Sequence, residues 1–163
     1  MLMFAFLKNK SSETRYSGEH VDLVYRCTYN PEDTACLAKC IEFRIVLHGT
    51  AVQIGYCDLR LGMNDILYYA GNIGYRIYTP YRGHHYAKEA TELLLHVADQ
   101  VYDMKRVIIT CSPDNIASVR TLEQIPGYQL LETVQVPEDH WLYKRGETVK
   151  NIYLYNKEEE GRC

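Results

Sequence analysis

The stretch Gly71–Ala90, GNIGYRIYTPYRGHHYAKEA, constrains the fold more than any other part of this 163-residue chain. Ile73, Tyr75 and Ile77 alternate with small or polar residues, so the run reads as a strand with one buried face. Thr79-Pro80 ends it, Gly83 supplies a tight turn, and from Tyr86 onward the pattern is helical. Strand, turn and helix in succession leave several backbone N–H groups at the positive end of a helix, an arrangement that suits an anion such as phosphate.

The flanking sequence extends this unit in both directions. Ala87, Ala90, Leu93, Leu94, Val97, Ala98 and Val101 fall on one helical face, and Lys88, Glu89, Glu92, His96 and Asp99 on the other. Val107–Cys111 is a short apolar run rich in β-branched residues, a strand buried on both faces, so strand, helix and strand imply a right-handed parallel crossover. Ser112-Pro113-Asp114-Asn115 has helix-start chemistry, and a second helix is expected over Ile116–Ile125, stopped by Pro126-Gly127. Tyr128–Val136 and Asn151–Tyr155 read as closing strands around a polar loop, Pro137–Glu147, with a charged tail at Lys157–Cys163.

Toward the other end, Met1–Leu7 reads as a strand, Asn9–Gly18 as a polar loop and Val21–Thr28 as a further strand. After a turn at Asn30–Asp33, Ala35–Cys40 forms a short helix or leads directly into Ile41–Leu47. His48-Gly49-Thr50 and Gly62-Met63-Asn64-Asp65 then read as hairpin turns that join Ile41–Leu47, Val52–Leu61 and Leu67–Tyr78 into an antiparallel meander.

Composition narrows the classes of function. The length suits one domain spanning 1–163, and a formal charge of −3 supplies no general attraction to nucleic acid. The apolar opening MLMFAFL is far short of the ~20 residues of a membrane span and has no basic residues before it. No membrane partner is expected, and cytoplasmic residence is. The six cysteines are expected as reduced thiols, and Cys36 and Cys40 lack a second close Cys or His pair to complete a metal site, so no metal is expected.

Neither the P-loop spacing nor the dinucleotide glycine pattern follows the central strand. What does occur is aromatic-Arg-Gly-x-x-aromatic-Ala, preceded by Gly-Tyr-x-Ile and followed by Asn115-x-x-Ser118 at the next helix start. This combination resembles the GNAT superfamily of acyl-CoA-dependent N-acyltransferases, most closely its ribosomal-protein N-terminal acetyltransferase branch, from about Val52 to Tyr155. The resemblance implies an α+β fold with a mixed sheet: an antiparallel meander, a βαβ crossover with a splayed parallel strand pair, and two main helices. It also implies acetyl-CoA as the acyl donor, wrapped at its pyrophosphate by Arg82, Gly83, His84, His85, Tyr86 and Ala87. His85 stands where the family has its central glycine, and a left-handed backbone is harder for histidine to adopt. In the family the strand matching Gly74–Tyr78 carries a bulge, and Ile77 and Tyr78 are the positions implied to offer an N–H to the thioester oxygen, with Asn115 contacting the pantetheine arm.

The same resemblance implies acetyl transfer to a primary amine, whether a peptide α-amine, a lysine or a small molecule, by direct attack. The usual family tyrosine, seven residues after the Asn, is Leu122 here. Ser118 matches the serine assigned as general acid in the ribosomal-protein branch, with Tyr128, Tyr143 and Cys111 as alternatives. Glu42, Asp58 or a water chain could serve as base. The competing reading, motivated by His85 and Leu122, is a non-catalytic acyl-CoA-binding or regulatory module. The acceptor groove is expected from Met1–Cys40 and Pro137–Lys150, and a homodimer through the tyrosine-rich sheet stays open.

Overall fold

The computed structural model describes residues 13–157. Five strands, β1 Arg15–Ser17, β2 Val21–Tyr29, β3 Cys40–Leu47, β4 Gln53–Arg60 and β5 Ile73–Ile77, form an antiparallel sheet in chain order. Three more, β6 Arg106–Cys111, β7 Tyr128–Gln135 and β8 Val149–Asn156, form a second antiparallel sheet in the order β6-β8-β7. Four helices accompany them among the described residues: α1 Asp65–Ala70, α2 Tyr86–Tyr102, α3 Ile116–Glu123 and α4 Trp141–Lys144. No helix among the described residues is long and apolar enough to cross a membrane.

The core sits where the alternation of the strands meets the apolar stripe of α2. Ile41, Phe43 and Ile45 of β3, with Cys57 and Leu59 of β4, are buried against Ala90, Leu93, Leu94, Val97 and Ala98. The stripe is displaced at its end. Val101 is 46% exposed, whereas Asp99, expected on the outer face, is 5% exposed. Burial of that carboxylate is compensated by Lys105 Nζ at 2.7 Å and by Lys157.

The meander differs from the expected one in its last member. The run Leu67–Tyr78 is not one strand, because Asp65–Ala70 is the helix α1 and β5 starts only at Ile73. Asn64 caps α1 by accepting the Leu67 N–H at 2.7 Å, and Gly71, at φ 80°, closes its other end. The caps decide because Ile66 through Ala70 carries no period-2 alternation. Two smaller corrections share this local origin. Arg15–Ser17, within the stretch read as loop, pairs with β2, and the loop 137–147 contains α4, capped by the His140 ring accepting the Leu142 N–H at 3.1 Å; of the two alternatives for residues 35–40, the chain takes the second and leads into β3 through turns and bends. The strand expected at Met1–Leu7 and the tail beyond residue 157 lie outside the described residues.

The two sheets meet at β5 and β6. At their near end the Asn72 N–H donates to the Ile108 carbonyl at 2.6 Å, and the Ile108 N–H donates to the Asn72 side chain at 2.8 Å. Beyond this point no ladder joins the strands, and they diverge. The irregularity expected in β5 falls one strand away, in β4: β3 and β4 lose register at Ile54, while β4 and β5 stay in step. A Cβ on the neighbouring Gly55 would collide with the Arg76 carbonyl oxygen, so only glycine lets β4 and β5 approach here.

Candidate active site

A cleft of about 640 Å³ opens where β5 and β6 part. Its walls are the end of β5 (Tyr75, Arg76, Ile77), the turn into α2 (Arg82, Gly83, His85, Tyr86, Ala87) and the first turns of α3 (Asn115, Ser118, Arg120, Thr121). Most of the residues singled out from the sequence therefore meet at one place, although up to 41 positions separate them.

Backbone geometry gives the cleft its donors. The Tyr78 N–H donates to Ile54 at 2.8 Å and the Arg60 N–H to Asn72 at 2.7 Å, which fixes the phase of the β4–β5 ladder. With Gly55 opposite Ile77, Ile77 falls on the alternate phase, so its N–H and C=O point away from β4 into the gap. Tyr78 does not join the site: its N–H is committed to Ile54, and its hydroxyl contacts Gln53 at 3.0 Å. At the rim, α2 begins without a side-chain cap. Among the described residues, the N–H groups from Gly83 to Lys88 find no acceptor.

His85 resolves the mismatch in the turn motif. It adopts the left-handed conformation, φ 62° and ψ 18°, in the place of the family's glycine. The geometry of the turn is thus kept, at a cost of roughly 1–2 kcal/mol for a residue with a Cβ. His84 points elsewhere, stacking on Tyr86 with ring centroids 5.3 Å apart and facing a separate cavity with Glu19, His20 and Glu89.

Charge around the cleft is of one sign. Arg82 donates through Nε to the Ile77 carbonyl at 2.9 Å, which holds its guanidinium at the mouth. Arg76 and Arg120 line the same cleft, and no carboxylate does. None of the three forms an ion pair among the described residues. Sequence reading missed Arg76 and Arg120; the alternation of β5 and the helical spacing Ala117, Arg120, Thr121 were the available signals.

The proton-transfer candidates separate clearly. Ser118 is half-buried in the cleft, and its N–H donates to the Asn115 side chain at 3.2 Å, so Asn115 is the N-cap of α3. Tyr75, which sequence reading did not single out, lies in the floor, with its hydroxyl buried and without a hydrogen-bond partner. Burial pushes its phenol up, while the adjacent Ser118 and Thr121 hydroxyls pull the other way. Half-buried Tyr128 lies beside it with its hydroxyl buried and its phenol pushed well up by burial, and burial raises the Cys111 thiol to about 11. Tyr143 is on α4, outside the cleft, and Leu122 is fully buried in the core. Glu42 and Asp58 face each other across β3 and β4 and are likewise outside the cleft. Glu42 pairs with Arg26, and Asp58 with Arg60 at 2.6 Å; burial raises the Asp58 carboxyl, with Arg60 opposing.

Comparison with known proteins settles the family. The model of the GNAT acetyltransferase domain matches residues 8–125, well over half of the chain. The chain belongs to the GNAT acetyltransferase family. Among curated proteins no relative matches. Solved GNAT structures share the fold at low identity. A GNAT-family acetyltransferase from Bacillus anthracis is 22% identical at a TM-score of 0.57, over 72% of this chain and 66% of its own. The ribosomal-protein-S5-alanine acetyltransferase from Vibrio fischeri is 14% identical at 0.64, over 90% and 98%. The microcin C7 self-immunity acetyltransferase, solved with acetyl-CoA and AMP, is 22% identical at 0.53, over 72% and 61%.

Proposed function

We propose that this GNAT protein transfers an acetyl group from acetyl-CoA to a primary amine by direct attack. The observation that carries the reading is the carboxylate-free cleft, rimmed by Arg76, Arg82, Arg120 and the unpaired amides of Gly83–Lys88, at the point where β5 and β6 diverge. A polyanionic pyrophosphate fits such a rim, and an extended pantetheine arm fits a gap lined by strand N–H and C=O groups.

Acetyl-CoA, when bound, supplies a thioester activated toward amines. The chain's own groups do the rest. The inward N–H of Ile77 is a fixed dipole suited to the oxyanion that forms as the amine attacks. In this reading Ser118, which lines the cleft, protonates the departing sulfur. The amine must shed a proton, and with Asp58 and Glu42 held by arginines, water in the cleft is the acceptor. A second cavity of about 610 Å³ lies between α1 and residues 137–141, lined by Tyr68, Tyr69, Trp141, Asp65 and Asp139. Carboxylates beside aromatic faces suit a cationic amine, which supports this class of acceptor.

Calorimetric titration with acetyl-CoA, followed by thiol release across a panel of peptides, lysine derivatives and small amines, tests the proposal. Binding with amine-dependent thiol release is the expected result. Neither heat nor thermal shift at millimolar acetyl-CoA would sink it, whereas tight binding with no release from any amine would favour the acyl-CoA-binding module instead.

A further inference from the structure

Tyr75 is the unexplained group in the cleft. Its ring occupies the floor between β5 and α3, yet its hydroxyl is buried without a completed hydrogen bond. A phenylalanine would fill the same space without an orphaned polar atom, so stability does not account for the oxygen. The hydroxyl lies beside those of Ser118 and Thr121. Thr121 is already engaged, donating to the Ala117 carbonyl at 2.9 Å, while the Ser118 hydroxyl makes no such backbone bond and has the Tyr75 hydroxyl beside it. The pair that can communicate is thus Tyr75 and Ser118.

Chemistry gives this pair a purpose. An aliphatic alcohol is a far weaker acid than a thiol, so Ser118 alone cannot leave a thiolate protonated without becoming an unstable alkoxide. A phenol is a much stronger acid than an aliphatic alcohol, even where burial pushes it up as it does Tyr75, and can make up the proton. The family's tyrosine position is no substitute here, since Leu122 is fully buried in the core.

Resting on the acetyltransferase reading above, we propose that Tyr75 is the proton source behind Ser118. As the tetrahedral intermediate collapses and its C–S bond breaks, the Ser118 hydroxyl gives its proton to the sulfur and takes one from the Tyr75 hydroxyl. The phenolate then recovers, through water in the cleft, the proton shed by the attacking amine, so the cycle balances. The groups facing Tyr75 are compatible with a donor that stays protonated: Cys57 from β4, Cys111 from β6, Tyr128 from β7, and Arg76, Arg120 and His85 around the cleft, with no carboxylate among them. Tyr75 acts through Ser118 and is a positioning and relay residue.

The test is Tyr75→Phe, compared with Ser118→Ala and the double variant in the full chain, using an amine that the parent protein acetylates. The expected result is a fall in kcat of about 10²-fold, with acetyl-CoA affinity and KM unchanged and melting temperature equal or higher. The double variant should be no slower than Ser118→Ala alone. Fluorotyrosine at position 75, a stronger acid, should move the alkaline limb of the kcat profile to lower pH. An unchanged kcat and pH profile in Tyr75→Phe, additive losses in the double variant, or lost acetyl-CoA binding would overturn the relay while leaving the acetyltransferase reading intact. A parent protein that acetylates no amine would overturn both.

Discussion

Asn72 and Ile108 exchange two hydrogen bonds across the junction of the sheets, one through the Asn72 backbone N–H and one through its side-chain carbonyl. The same side chain donates to the carbonyls of Arg60 at 2.9 Å and Gly62 at 2.8 Å. One buried amide therefore replaces the ladder that β5 and β6 would otherwise form, and the wedge opens directly beyond it. Asn72→Ala strands the buried Ile108 N–H and leaves the partly buried carbonyls of Arg60 and Gly62 without this donor. It should cost about 2–4 kcal/mol, read as a lower urea midpoint. A loss under 1 kcal/mol would show that the junction is held by other contacts.

His85 makes the opposite prediction. Its left-handed φ of 62° carries strain that glycine avoids, but glycine also gains freedom in the unfolded chain. The balance favours His85→Gly by up to about 1 kcal/mol, a rise of about 2–4 °C in melting temperature. His85→Val should lower it. If both variants melt at the parent temperature, the turn is not strained in solution.

The parts that were legible in the sequence are those where one local rule operates alone. The turn at Gly83, the apolar stripe of α2 and the Asn115 cap are visible because glycine, period and cap chemistry all point the same way. The misread segments are those where a non-local partner decides. Asp99 sits on what looks like a solvent face, and Lys105 together with Lys157, 58 positions on, makes its burial tolerable. Arg76 and Arg120 are unremarkable as residues; the divergence of two strands turns them into the rim of one cleft. Tyr75 looked like an ordinary half-buried strand tyrosine, and its missing hydrogen bond exists only in three dimensions.

Asp99 supplies a pH dependence with a definite sign. Burial alone would raise its carboxyl, but Lys105, Lys157 and Gln100 together lower it below the usual carboxylate range. The folded value lies below the unfolded one, so the stabilisation is complete above about pH 4 and is lost as pH falls through the folded value. Asp99→Asn should be less stable than the parent by about 1–2 kcal/mol at pH 7, with the gap closing below pH ~4. Urea unfolding at pH 7 and pH 3 checks this; a gap that is the same at both would mean that the lysines do not act on the ionised form.

Asn115 links the stability of α3 to the chemistry of the cleft. Its side chain accepts the Ser118 N–H, so the residue that starts the helix also sets where the Ser118 hydroxyl lies. Asn115→Ala removes the cap and should cost about 1 kcal/mol, whereas Asn115→Asp keeps an acceptor and should retain most of that stability. If Asn115 acts through Ser118, turnover should follow the cap: reduced in Asn115→Ala, largely kept in Asn115→Asp, with no further loss when Asn115→Ala is combined with Ser118→Ala. A role in holding the pantetheine arm predicts something different, a weaker acetyl-CoA affinity in Asn115→Ala that the presence or absence of Ser118 does not alter. Measuring kcat and acetyl-CoA affinity for the parent, the three single variants and the double variant separates the two roles, because helix capping moves the first quantity and cofactor contact moves the second.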